Sequence, residues 1–260
     1  MYAILTHAVL LTLASGYYFL TADGLSYWLH FWAALGRNYS LIYFMDWQNK
    51  SSKTILYGGK ARSIPVEQYP AEFDLYIIGT TAVDAVGQGT IQQYFFPTPV
   101  GLGVEVDSFY LYTFGSTWFL LEIISDLFHY LFHRAFHTAP LLYRHFHKIH
   151  HRWPQPISKL TFYLHPVDHL CTNVVPTVLA LSALQSLQPL QPLQPLQPLS
   201  AWYPSYFQYV LYLTYKGLHD IEGHAGKVTA PDHDRHHKFN NCNYGKRFTL
   251  WDKLFRTFKV

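Results

Sequence analysis

Apolar residues gather into six long runs, at about residues 3–20, 25–45, 74–96, 108–131, 167–187 and 201–218. Each is close to the ~20 residues an α-helix needs to cross a bilayer. The pattern therefore predicts an all-α, multi-span helical membrane protein. The first run has the length of a signal peptide, but it lacks a basic leading region and the next run follows almost at once, so it is expected to be retained as a span. Between the last two runs, Gln188 to Leu199 reads as four consecutive Gln-Pro-Leu triplets. Proline at every third position excludes a helix and favours an extended, polyproline-like loop. Surface loops accept such insertions readily, and no chemistry is assigned to it.

Lysine and arginine divide these runs into sides. Lys50, Lys53, Lys60 and Arg62 mark one cytosolic loop, whereas residues 97–107 carry only acidic charges and are expected to face the lumen. Arg134, Arg144, Lys148, Arg152 and Lys159 return the chain to the cytosol. A basic-free stretch from Leu160 to Tyr215 then reads as a membrane hairpin, over about 167–218. Two regions follow: residues 1–107, with N-terminal spans and a cytosolic loop, and residues 108–260, which contain the hairpin, the repeat loop at 188–199 and nearly all the candidate chemistry.

Composition sharpens this picture in three places. Half of the residues are hydrophobic, 18% are aromatic and only 13% are charged, a surplus of apolar surface that points to lipid. Pairs such as Tyr17-Tyr18, Tyr27-Trp28 and Trp202-Tyr203 suit a membrane–water boundary. A net charge of +3 is too small to argue for nucleic acid, and the two cysteines, Cys171 and Cys242, lack metal-ligand spacing and are read as reduced thiols.

Histidine carries the chemical signal, because 14 of the 16 lie between His129 and His237. They form three tight groups: His129, His133 and His137; His147, His150 and His151; and His233, His236 and His237. Residues at i, i+3 and i+4 share a helical face, so each group is expected to aim its imidazoles at a common point. Isolated histidines on apolar helices are usually packing residues, which is the reading for His7, His30, His129 and His145. The boxes are different, since ionisable groups near a bilayer are costly unless they function.

Neutral imidazole binds iron, zinc, copper and nickel, and this many nitrogens leave room for two ions. A zinc protease would need His-Glu-x-x-His, which is absent, and a structural zinc site uses about four ligands. An O2-activating pair of non-heme iron ions uses the whole set. Such a pair, reduced by an external donor, attacks a C–H bond, giving an alcohol or, on loss of a second hydrogen, a double bond. A non-catalytic membrane protein holding a zinc pair or a lipid is the competing reading from another class.

The boxes and their surroundings resemble the fatty acid hydroxylase and sterol desaturase superfamily over roughly residues 120–258. The elements are His133-Arg-Ala-Phe-His137, Leu142-Tyr-Arg-His-Phe-His147-Lys-Ile-His150-His151, His165-Pro-Val-Asp168, His224-Ala-Gly226, and His233-Asp-Arg-His236-His237. Asn243-Tyr244-Gly245 and Leu250-Trp251-Asp252-Lys-Leu-Phe255 follow. The resemblance implies membrane spans carrying a cytosolic helical cap that holds the di-metal site. It also implies endoplasmic reticulum residence and electrons from NAD(P)H through cytochrome b5 and its reductase.

The resemblance puts metal ligation on His133, His137, His147, His150, His151, His224, His233, His236 and His237, with His219 as a tenth candidate whose alternative is a capping role. It gives His165, Asp168 and His169 a part in orienting ligands or lining the substrate path, and Asp126 the task of holding an imidazole tautomer. Asp168 stands where Glu is usual, Ala225 where Ser is usual, and Arg256 where Gly is usual. The His224-Ala-Gly226 element and the Asn-Tyr-Gly tail favour a sterol substrate, and a fatty acyl or sphingolipid hydroxylase is the alternative. A rigid sterol calls for a slot of aromatic and branched side chains, for which Phe136, Phe146, Phe162, Tyr163 and Tyr215 are candidates.

Overall fold

In a computed structural model of the chain, residues 2–21, 27–51, 68–96, 108–187, 204–227 and 231–260 are described. The loop carrying Lys53, Lys60 and Arg62, the acidic stretch at 97–107 and the Gln-Pro-Leu repeat lie outside the described residues. What is described is α-helical, with short 3₁₀ and π turns and no sheet. Four long helices come first: α1 (Tyr2–Thr21), α2 (Tyr27–Ser51), α3 (Phe73–Phe95) and α4 (Ser108–Thr138). A broken segment follows, comprising α5 (Pro140–Leu142), a π turn at Tyr143–His147, and 3₁₀ turns at His150–Arg152 and Ser158–Phe162. Then come α6 (Pro166–His169), a π turn at Leu170–Val174, α7 (Val175–Ser186), α8 (Tyr206–His224), α9 (Pro231–Phe239) and α10 (Leu250–Leu254).

Every proposed span coincides with a helix, but among the described residues only the continuous run Pro166–Ser186 is long and apolar enough by itself to cross a membrane. The other helices carry polar residues on their inner faces: Arg37 and Asn38 on α2, Asp84, Gln88 and Gln92 on α3, and Ser125 and Asp126 on α4 are all buried or nearly so. Arg37 reaches Asp84 at 3.1 Å, and Gln88 Nε2 donates to the same carboxylate at 2.7 Å. These groups lower the apolar average of their helices while their pairing removes the penalty of burial.

Two apolar cores tie the helices together. One joins Ala14 and Tyr17 of α1 to Ala34, Ile91, Leu121, Leu181 and Tyr209. The other joins Leu10, Leu41, Met45 and Ile77 to Tyr163, Leu218 and Ile221. Both draw on residues from either side of position 107, so the N-terminal helices buttress the segment that carries the boxes.

Helix ends follow local chemistry. Ser205 Oγ accepts from Gln208 N and Gln208 Oε1 accepts from Ser205 N, a reciprocal cap that starts α8. His165 Nδ1 accepts from Val167 N with Pro166 in the first helical position, which starts α6 and fixes where Asp168 points.

Candidate metal centre

The last turns of α4 set His133 and His137 on one face, as i, i+4 spacing requires. The second box does not lie on a regular helix. His147 closes a π turn and His150 opens a 3₁₀ turn, so the angles between the three rings differ from those of an α-helix. The outcome corrects the expectation of one common point per box: each x-x-His-His box divides. His133, His137, His147, His151 and His236 form one cluster, and His150, His224, His233 and His237 a second. Within each, the nitrogens lie within 4.8 Å of one another. The clusters adjoin, with the rings of His151 and His237 at 4.5 Å.

Hydrogen bonds on the far side of the rings settle the tautomers. His133 Nδ1 donates to Tyr244 O at 2.8 Å, His236 Nδ1 to Cys242 O at 2.7 Å and His224 Nδ1 to Asp220 O at 2.7 Å. A carbonyl can only accept, so each of these rings carries its proton on Nδ1 and a lone pair on Nε2. His147 Nδ1 donates to Asp168 Oδ2 at 2.6 Å, with the same consequence. Yet His133 Nε2 and His147 Nε2 stand 3.2 Å apart, and His147 Nε2 also has His137 Nε2 at 2.8 Å and His151 Nε2 at 3.0 Å. His133 and His147 thus face each other lone pair to lone pair, which at this range repels. In the second cluster His224 Nε2 has the Nε2 atoms of His150, His233 and His237 each at 3.2 Å.

Protons do not relieve the repulsion. Burial, followed by the backbone bond that opposes it, leaves His224 at about 4 and His236 at about 3, and burial with neighbouring imidazoles holds His133, His150, His151, His233 and His237 well below the ordinary value. Neutral, converging nitrogen lone pairs fit a cation in each cluster, and the all-nitrogen donor sets suit a borderline transition metal.

A cavity of about 60 Å³ lies against both clusters, bordered by His133, His147, His150, His224 and His233 on one side and by His129, Thr172, Asn173 and Lys246 on the other. Among the five aromatic residues proposed as substrate walls, only Phe162 borders it. Tyr163 packs instead on Phe73 and Trp153, and Phe136 on Phe146.

Nine of the ten proposed ligands thus fall in the two clusters, and His219 does not. Its Nε2 meets Lys246 O at 3.0 Å and its Nδ1 meets the Arg247 guanidinium at 3.0 Å, so both nitrogens serve the Lys246–Arg247 backbone and side chain. Asp126 also departs from its expected role: it holds no imidazole, because its oxygens accept from the amides of Lys246, Arg247 and Phe248. Asp168 does hold a ring, that of His147. His169 borders the cavity and donates from Nε2 to Asp84 Oδ1 at 3.1 Å, while His165 caps α6. His129 donates to Thr172 O at 2.6 Å. Both cysteines are free, and Cys242 contributes its carbonyl rather than its thiol.

The carbonyls of Asp220, Cys242 and Tyr244, and the Asp252 carboxylate that fixes Tyr244, were not legible as site groups in the sequence. Backbone acceptors leave no residue signature; the only hint is the position of Asn243-Tyr244-Gly245 close behind the third box.

Residues 118–257 match the family described as fatty acid hydroxylase. Methylsterol monooxygenase 1 of Danio rerio is 31% identical over 135 residues, 52% of this chain and 44% of that protein. Lathosterol oxidase of Homo sapiens is 31% identical over 163 residues, 57% of this chain and 48% of that protein. Fatty acid hydroxylase domain-containing protein 2 of Macaca fascicularis is 37% identical over 67 residues, 24% of this chain and 20% of that protein. The chain spans about half the length, or less, of these relatives. No solved structure gives a significant match. With more than half its length in that match and all three histidine boxes inside it, the chain belongs to the fatty acid hydroxylase/sterol desaturase superfamily.

Proposed function

We propose that the chain is a multi-pass membrane oxidoreductase of the endoplasmic reticulum that uses two non-heme iron ions and O2 to hydroxylate or desaturate a C–H bond of a sterol. The observation that carries this reading is the pair of adjoining clusters whose neutral Nε2 lone pairs converge. Iron bound there would supply the oxidising power that no amino-acid side chain has. The five-histidine group would hold one ion and the four-histidine group the other, with NAD(P)H electrons arriving through cytochrome b5 and its reductase on the cytosolic side.

The chain's own residues do the positioning. Asp168 and the carbonyls of Tyr244, Cys242 and Asp220 hold four imidazoles in the metal-binding tautomer, which raises ligand basicity and fixes ring direction. The cavity that borders both clusters is where the reacting carbon would be presented to them. Such placement accounts for a large share of the rate in enzymes of any chemistry.

The sterol assignment is supported by the sterol-directed names of two relatives, methylsterol monooxygenase 1 and lathosterol oxidase. A second reading, acyl hydroxylation, is favoured by the similarity to fatty acid hydroxylase ahd1 of Mycosarcoma maydis, 30% identical over 150 residues, 56% of this chain and 34% of that protein. Expression in cells from which the 4-methyl oxidase, the C-5 desaturase or an acyl hydroxylase has been removed one at a time separates the two. Restored sterols support the first reading; unchanged sterols with new hydroxy fatty acids establish the second.

A further inference from the structure

Lys246 stands where three small cavities meet. It borders the cavity of about 60 Å³ beside the two clusters, a second of about 20 Å³ that reaches Glu122, Lys216 and Arg247, and a third of about 70 Å³ that reaches Asp232 and Thr249. Among the described residues around the first cavity it is the only lysine or arginine. The second cavity leads outward, because the Arg247 side chain is 45% exposed and pairs with Glu122 at 3.4 Å.

The ammonium is held in a fixed place. Its Nζ donates to Asn173 Oδ1 and to Asp220 Oδ2, the latter at 2.8 Å. Asn173 is anchored in turn, giving Nδ2–H to Thr172 Oγ1 at 3.0 Å and taking a longer bond of 3.4 Å from Lys216. The Lys246 backbone is tied as well, to Asp126 through its amide and to His219 through its carbonyl. An ammonium carries three hydrogens, and with Asn173 and Asp220 taking two, one is left for the cavity beside the clusters. The charges around it balance, since Lys216, Lys246 and Arg247 share the second cavity with Glu122, Asp126 and Asp220. A proton given up on one side can therefore be regained from the other without a lasting unpaired charge.

We infer that Lys246 is the proton donor of the histidine cavity, recharged from the surface past Arg247, Glu122 and Asp220. This rests on the oxygenase reading above, whose balance calls for such a group. Hydroxylation of a C–H bond takes up O2, two electrons and two protons and releases one water; desaturation takes up the same and releases two. The ligand rings are poor sources, since His133, His147, His224 and His236 hold their protons on Nδ1 against carbonyls or Asp168. Two other rings on the cavity, His129 and His169, give theirs to Thr172 O and Asp84. Lys246 has a proton to spare and a route by which to replace it.

The test has one arm without metal and one with it. In the metal-free full chain, reductive methylation with formaldehyde, read by peptide mass spectrometry, should modify Lys246 while sparing Lys227, which is buried against Gln48 and Glu222 and borders none of these cavities. In the second arm the chain is loaded anaerobically with Fe(II) and mixed with O2, no lipid added, and the oxidation of two Fe(II) with uptake of two protons and release of H2O2 is timed. Lys246→Ala should slow it ~10²-fold with metal per chain unchanged, and propylamine, which replaces the missing atoms, should restore it. Lys246→Arg keeps the charge and the hydrogen bonds but does not release its proton, so it should be as slow as Lys246→Ala and gain nothing from the amine. A fast Lys246→Arg, or Lys246 as protected as Lys227, overturns the donor and leaves the oxygenase reading standing. Should Lys246→Ala shed its metal, the arginine variant and the labelling decide. Dependence on Lys246 in a chain that yields no oxidised lipid in the deletion cells sustains the donor and refutes the lipid reading.

Discussion

Asp126 and Asp252 divide between them the backbone amides of one short segment: Asp252 accepts from Tyr244 N and Gly245 N at 2.7 Å each, and Asp126 from Lys246, Arg247 and Phe248 at 2.8–3.1 Å. The Tyr244 carbonyl in that segment receives the Nδ1 proton of His133. Two carboxylates far apart in the chain therefore set the direction of one imidazole. Asp252→Asn weakens charge-assisted bonds worth ~1.5–3 kcal/mol each. Because partners of ligand rings typically contribute ~10–100-fold in metal affinity, the five-histidine cluster should lose metal first. Metal analysis after dialysis is expected to show a fall from about two ions per chain toward one. Full retention would show that His133 needs no such support.

Single replacement of His150, His151, His236 or His237 by Ala should abolish turnover with membrane insertion unchanged, because each belongs to a cluster while its backbone is held by other contacts. His219→Ala and His145→Ala should both retain two metals per chain, since neither ring lies in a cluster. Equal loss of metal in His219→Ala and His150→Ala would contradict the division of the boxes.

Acid should act on the metal-free protein well before it reaches the site. In the unfolded chain imidazole titrates near 6.5, but folded His224 and His236 hold out to about 4 and about 3. Between these limits the unfolded state binds more protons, so stability falls as the pH drops from 6.5 and the loss is complete only below the folded values. Metal loading follows the folded values, and should persist at pH 5.5, where free imidazole is mostly protonated. A thermal midpoint that rises on acidification of metal-free protein would reverse the sign.

Arg256 adopts φ of 57°, the left-handed region that favours glycine. Glycine adopts that conformation without strain, so Arg256→Gly should stabilise the chain by about 1 kcal/mol. Denaturant titration of the two forms measures it.

How much of this was legible beforehand divides along a physical line. Helix positions and the membership of the boxes come from local periodicity, so α1 to α4 and the eight box histidines that fall in the clusters were readable, whereas His224 came only from the family resemblance. The division of each box between two clusters was not, because it depends on the π turn at Tyr143–His147 and on contacts between residues such as His151 and His236 that are distant in sequence. His219 illustrates the limit from the other side. It stands five residues before His224, off a regular helical face, so spacing left ligation and capping both open, and only the return of Lys246 and Arg247 to α8 shows that its ring is already engaged.

The neighbours His150 and His151 belong to different clusters, as do His236 and His237. Two peptide bonds, one in each box, thereby join the positions where the ions would sit. A cation held by one cluster would also fix the two peptide bonds it shares with the other, so part of the ordering cost of the second would already be met. The two sites should behave as one cooperative unit: occupancy of either lowers the dissociation constant of the other, and by reciprocity the effect is equal in both directions. Titration with Fe(II) under anaerobic conditions would then rise more steeply than two independent sites allow.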